Sequence, residues 1–369
     1  MSGGFDRRQL RAMCFVASLA AVTRLLPKAP AQAAGNAGWL APLCALPLLL
    51  LFLVFFCSFM KTRREDEGLG ELILRRNGRA LGSAVLLIAA AYLLLSSGFI
   101  LRTGAHRLNS TIYPAAGPWM FMLTMLALGT AAALGPVKAL PRASRVFAPI
   151  LTAVMLLAVI FALGSVDPKN LFPLCDATAL GVFLGSLSVV EIYGSVIWCA
   201  AVLEAHTPLE GGRFSFFARW LVPVCLLLTV FCAVMIGIYG AALTARFSHP
   251  FFSMVRDVTL FQSLERLDAL VAALWVLSDF VVFSMQLCAA AHLLRLVLGR
   301  APQKADSTML VMKNGRLVIP LCAALTALAA ALLPSDEQSL STLSQRVFPA
   351  LSLAVILLIL SARRRGNSS

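Results

Sequence analysis

From Ala29 to Met60 the chain passes no charged side chain. The same holds over Ala80–Leu101, Leu108–Val137, Val146–Val166, Trp220–Ala245, Leu317–Ser335 and Val347–Ala362. Two further apolar stretches hold one acid each: Ala177–Leu203 contains Glu191, and Ala269–Leu294 contains Asp279. Runs of about twenty apolar residues are the length that crosses a bilayer as a helix. Inside hydrocarbon only helices and closed barrels satisfy their own backbone, and these runs are continuous rather than alternating. A weaker first segment, Gln9–Leu26, has its charge-free core at Ala12–Thr23 and brings the count to ten. Composition agrees: 60% of the 369 residues are hydrophobic and 13% charged, with a mean hydropathy of +0.86. A soluble fold could not hide that much hydrocarbon, since its surface must still face water. The expectation is an all-α integral membrane protein, one transmembrane domain over residues 1–369.

Charge sets the expected orientation. With the N-terminus in the cytoplasm, 22 of the 31 Lys and Arg fall on the cytoplasmic side, as the positive-inside rule requires. Both termini are then cytoplasmic. The net charge of +14 is scattered in short clusters, so no nucleic-acid surface is expected. Connections are short, leaving no room for a soluble catalytic domain. The outer segment 246–268 carries Phe251, Phe252, Met254, Val255, Leu260, Phe261 and Leu264 at helical spacing, which reads as an interfacial amphipathic helix. Lys61–Arg79, with Leu69, Leu72 and Ile73 on one face, reads as a counterpart on the inner leaflet, the alternative for both segments being plain connectors. Nine cysteines and four histidines show no metal-ligand spacing, so no metal or cofactor is expected. No Ser-His-acid or paired-carboxylate arrangement suggests an enzyme.

Glu191 is the most informative position. A carboxylate at membrane depth must be protonated, paired or facing a wet cavity. Gly181, Gly185 and Gly194 surround it and weaken its helix, and Ser186 and Ser188 add hydroxyls. An interrupted first and sixth span, in corresponding places of a five-plus-five arrangement, is the pattern of an inverted-repeat transporter with its ligand at the repeat interface. The repeats would be 9–164 and 177–362. The expected ligand-binding residues are Thr23, Ser97, Gly185, Ser186, Ser188, Glu191 and Ser284. Tyr92 and Asp279 are expected to line the cavity, Asp279 having a structural hydrogen bond as its alternative. Arg256, Glu265, Arg266 and Asp268, clustered before the eighth span, are candidates for partner contact or gating.

The segment His249-Pro250-Phe251-Phe252-Ser253-Met254-Val255-Arg256, followed by Leu264-Glu265-Arg266-Leu267-Asp268-Ala269-Leu270 and Trp275, resembles the permease-like subunit of endospore germinant receptors. Arg8-Gln9-Leu10 and Ala34-Gly35-Asn36-Ala37-Gly38-Trp39-Leu40 are similar to that spore-germination family too. It lies within the amino acid–polyamine–organocation superfamily. His249 stands where the family has tyrosine, and Ala17–Arg24 lacks the family's Gly-Ser break. The resemblance implies a subunit in the spore inner membrane, or a bacterial cell membrane. It would sense an amino acid or other small germinant and act with a larger membrane subunit and a lipoprotein. Its partners would otherwise be membrane lipid, with no nucleic acid. A secondary amino-acid or solute transporter, and a noncatalytic scaffold on a transporter fold, stand as the alternatives.

Overall fold

The computed structural model describes residues 6–24, 26–64, 67–111, 115, 117–136, 138–172, 178–204, 212–257, 267–299 and 317–361. Among them there are helices and turns and no β-strand. The α-helices in chain order are α1 (Arg7–Arg24), α2 (Lys28–Ala34), α3 (Ala41–Met60), α4 (Leu69–Thr111), α5 (Pro118–Leu134), α6 (Ala139–Ala162) and α7 (Ala179–Leu203). Then follow α8 (Arg213–Arg246), α9 (Pro250–Asp257), α10 (Leu267–Val297), α11 (Val318–Leu332), α12 (Glu337–Thr342) and α13 (Phe348–Ser361). Seven helical segments among the described residues are long and apolar enough to cross a membrane. Pro118–Leu134 and Val318–Leu332 are shorter apolar helices. The expected apolar segments from Ala29 onward each overlap one of these helices, while the first, Gln9–Leu26, corresponds to α1.

The first span is broken. Helix α1 ends at Arg24 and α2 begins at Lys28, with Leu26 and Pro27 in a turn between them. Proline has no N–H to donate and clashes with a preceding helical turn, which favours a break at this point. The next reversal is tighter than the charge-free interval implies. Gly35 has φ of +56°, and a Cβ on Gly38 would sit 2.7 Å from the Pro30 carbonyl oxygen. The chain therefore folds back over Gly35–Leu40, and α2 belongs with the first span rather than with α3.

Helix α4 packs along α10, and α1 is set against α6, α10, α8 and α7. The resulting core is dominated by α7, α8 and α10, in which Tyr193, Phe217, Phe231, Phe283 and Met285 are fully buried. Leu123 and Leu128 on α5, Ile160 on α6, Leu321 and Leu328 on α11, and Leu353 and Leu357 on α13 are exposed. These form the hydrocarbon-facing rim that a bilayer covers. Gly98 lets α4 approach α11 closely, since a Cβ there would lie 2.9 Å from the Ala330 nitrogen. Small residues at such crossings are the usual device where lipid removes the hydrophobic drive for helix association.

The inner connection differs from expectation. Leu69, Leu72 and Ile73 are buried in protein, and a Cβ on Gly70 would strike Leu296 of α10. The apolar face of this segment thus packs on the end of α10 instead of resting in the leaflet. Gly78, at φ +73° and ψ 168°, breaks α4 between this short piece and the long span.

Candidate functional site

Glu191 lies in α7 and is 8% exposed. The Tyr92 hydroxyl of α4 donates to its Oε1 at 3.1 Å, a buried bond between positions far apart in sequence. One helical turn further along α4 are Ser96 and Ser97. The Ser97 hydroxyl donates to Gln286 Oε1 at 3.1 Å, and Gln286 Nε2 donates to Ser96 Oγ at 3.1 Å. Because i and i+4 share a helix face, α4 presents the Glu191 pair and the Gln286 bridge as adjacent polar levels. Of the expected ligand-binding residues, Glu191 and Ser97 are thus brought onto one polar stripe, with Tyr92 between them.

The other expected residues do different work. The hydroxyls of Ser186 and Ser188 donate to the carbonyls of Phe183 and Gly185 in their own helix, at 2.6 and 2.7 Å. Gly185 is a contact point, since a Cβ there would lie 3.3 Å from Pro30 Cα and 3.4 Å from Ala41 Cβ. At Gly181 a Cβ would come within 2.3 Å of the Ala33 carbonyl oxygen. Helix α7 is continuous over Ala179–Leu203. These glycines therefore seat α2 against an unbroken α7, where the sequence suggested local unwinding. Ser284 is buried and lies on the α5 side of α10, 3.4 Å from the position of a Cβ on Gly129. Its hydroxyl has no hydrogen-bond partner among the described residues. Thr23 lies in the last turn of α1, beside the break.

Asp279 pairs with Arg107 of α4, and each side chain is 2% exposed. The Arg107 guanidinium lies 4.9 Å from the centroid of the Trp275 ring, a cation–π stack. Phe252 and Phe251 of α9 reach the same ring, at centroid distances of 5.4 and 6.2 Å. Asp279 thus belongs to a buried ion pair that joins α4 to α10 beneath α9. Arg256 lies in α9 and Asp268 in α10, while Glu265 and Arg266 fall outside the described residues.

Sequence reasoning missed Arg107, because the third span was expected to stop at Leu101. Helix α4 continues to Thr111. The tenth span likewise begins before its charge-free interval, with α12, a π-helical turn over Leu343–Val347, and then α13. Arg346 inside that turn concealed the continuity.

At the end of the molecule assigned to the cytoplasm, Glu204 follows α7. Its Oε1 accepts from Arg213 Nε at 2.6 Å and lies 3.5 Å from Arg63 Nη2. Burial pushes the Glu204 carboxyl up, and the two guanidiniums pull it down. Glu67, by contrast, is held below the usual carboxylate range by the Arg75 side chain that donates to both its oxygens.

A profile of the family described as spore germination protein matches residues 6–329. In fold the chain is similar to a Na+-coupled sialic acid symporter in a substrate-bound outward-open state. That likeness has 14% identity and a TM-score of 0.61, over 94% of this chain and 78% of the other. It is also similar to MhsT in complex with L-phenylalanine, at 16% identity and a TM-score of 0.54, over 95% of this chain and 98% of the other. No curated protein sequence matches.

Proposed function

The chain belongs to the spore germination protein family as a multi-pass, permease-like membrane protein, and from that premise we propose that it senses an amino acid or other small germinant. In this reading it passes the response to partner subunits, a larger membrane subunit and a lipoprotein. The observation that carries the proposal is the buried Glu191–Tyr92 pair on α7, the helix that also meets α2 of the broken first span at Gly181 and Gly185. A carboxylate at this depth supplies charge for an amine, and the break between α1 and α2 leaves helix-end carbonyls and N–H groups for the rest of a zwitterion. The two structural neighbours support it, one being substrate-bound and the other in complex with an amino acid.

The test is thermal stabilisation of the purified protein with its co-expressed partners by each of the twenty amino acids. At least one should raise the melting temperature of wild type. Tyr92→Phe removes one hydrogen bond of about 0.5–1.5 kcal/mol, so apparent affinity should fall about 2- to 12-fold. Glu191→Leu should abolish the shift while the complex still assembles. Wild-type affinity in both variants would remove Glu191 from the site. An autonomous transporter is the second reading, favoured by the symporter fold. Accumulation of the stabilising amino acid in proteoliposomes holding this chain alone would establish it.

A further inference from the structure

Three elements meet at the outer end through two glutamines. Gln345 sits in the middle of the π-helical turn Leu343–Val347, in the last span. Its Nε2 donates to Gln32 Oε1 of α2 at 2.5 Å and to Ser341 Oγ at 3.1 Å. Gln32 in turn donates from Nε2 to the Ala245 carbonyl at 2.9 Å. Ala245 lies in the last turn of α8, where backbone carbonyls have no intrahelical partner. Gln32 therefore caps the end of α8 with one end of its amide and holds the last span with the other. A π-turn adds a residue to a helical turn, and such turns occur often at functional sites. In this chain it coincides with the residue that reaches across to α2.

Beyond Gly240 the chain forms a short arm, 241–257. Gly240, at φ +72°, breaks α8, and the Tyr239 hydroxyl donates to Asp257 Oδ2 at 2.6 Å across the arm's base. Phe251 of α9 packs on Phe231 at 5.5 Å and on Trp275 at 6.2 Å. At its other side α2 touches α7 at Gly181 and Gly185 with no side chain from α7 between them. Glu191 lies about 15 Å along α7 from Gly181 and about 9 Å from Gly185, at 1.5 Å per residue.

We propose that Gln32 and Gln345 are positioning residues of an outer clasp, which fixes α2 against α7 and passes any displacement of α2 to the arm 241–257. The proposal rests on the sensing role for its purpose, but the clasp itself is tested without a ligand. The amide of Gln32 has separable ends. Gln32→Glu keeps an acceptor for Gln345 and deletes the donor to Ala245. Gln345→Leu deletes the link to the last span and leaves the donor to Ala245 in place.

Hydrogen–deuterium exchange of the full chain in detergent micelles distinguishes them. Gln32→Glu should speed exchange in 241–257, by about 2- to 12-fold for one lost hydrogen bond, and leave 28–34 at the wild-type rate. Gln345→Leu should speed exchange in 28–34. Wild-type rates in both segments for both variants would overturn the clasp. A uniform rise that includes α4 and α10 would overturn it as well, because the glutamines would then serve general stability alone. Failure of this experiment leaves the sensing role standing, whereas absence of stabilisation by any amino acid removes the sensing role and leaves the clasp.

Discussion

Two connections in this molecule are built on the same backbone device and held in opposite ways. Gly78 breaks α4 at φ +73° and Gly240 breaks α8 at φ +72°, each separating a long span from a short helix lying beside it. At Gly78 the short piece is fastened by charge. Arg75 pairs with Glu67 and reaches the Thr62 carbonyl at 2.9 Å, while Arg76 donates to Thr62 Oγ1 and covers the Phe59 ring at 5.1 Å. At Gly240 the fastening is largely by neutral groups. The Gly237 carbonyl, freed by the break, accepts from the Asp167 backbone N–H at 3.0 Å and from Asn170 Nδ2 at 2.8 Å. Gln32 holds the Ala245 carbonyl in the same manner. Neutral hydrogen bonds can be exchanged for water at small net cost, about 0.5–1.5 kcal/mol each. The comparison teaches that one backbone break can be fastened by charge over a buried apolar face and the other by neutral hydrogen bonds to freed carbonyls.

The comparison is broken most severely at the base of the outer arm. Asp279→Ala strands the buried Arg107 beneath Trp275, and losing one partner of a buried pair costs about 3–5 kcal/mol. The melting temperature in detergent should fall by many degrees, and Asp279→Asn should recover only part of it. A loss no larger than that of a surface substitution would show that the pair does not anchor the outer half of the α4–α10 contact.

The two breaks themselves give a middle-sized effect. Gly78→Ala and Gly240→Ala both force a side chain into positive-φ extended backbone, at about 1–3 kcal/mol, and neither site is crowded within 3.4 Å. Stability should therefore fall equally. Only Gly240→Ala should also quicken exchange in 241–257. Equal exchange in the outer arm for both variants would erase the distinction between the two connections.

The smallest effect is a pH dependence of the inner connection. Because Arg75 lowers the carboxyl pKa of Glu67, the folded state binds fewer protons there than the unfolded chain. The contribution is fully present above the ordinary glutamate value and is lost as pH falls through the lowered folded value. Both groups face solvent in part, so it should amount to less than about 1 kcal/mol. Exchange of 69–77 followed on acidification should show it in wild type and not in Glu67→Gln.

Charge-free runs made the helical segments legible, because hydrocarbon penalises every unpaired charge. The same criterion failed where a charge is buried and paired. Arg107 looked like a loop residue, since nothing local reveals a partner 172 positions away. Arg346, an exposed charge inside the π-helical turn, hid the start of the last span. Glu191 was legible as an acid at membrane depth, and its hydroxyl partner Tyr92 was visible as part of a polar stripe on α4. The glycines of α7 read in sequence as weakness, and the structure uses Gly181 and Gly185 for close approach instead. That use is set by the arrival of α2, which only the fold supplies. Gln32 and Gln345 gave no signal at all, being ordinary polar residues near helix ends.

The contact of α2 with Gly181 and Gly185 has a mechanical consequence. Elsewhere in a protein interior, side chains between two helices can change rotamer and absorb a small shift. Here backbone rests on backbone, so there is no such cushion. A movement of the seven-residue helix by a fraction of an ångström must be matched by α7 or must open a gap between them. The joint therefore behaves as a stiff bearing, and its two glycines are positions at which chemical variation is closed off even though neither bears a functional group.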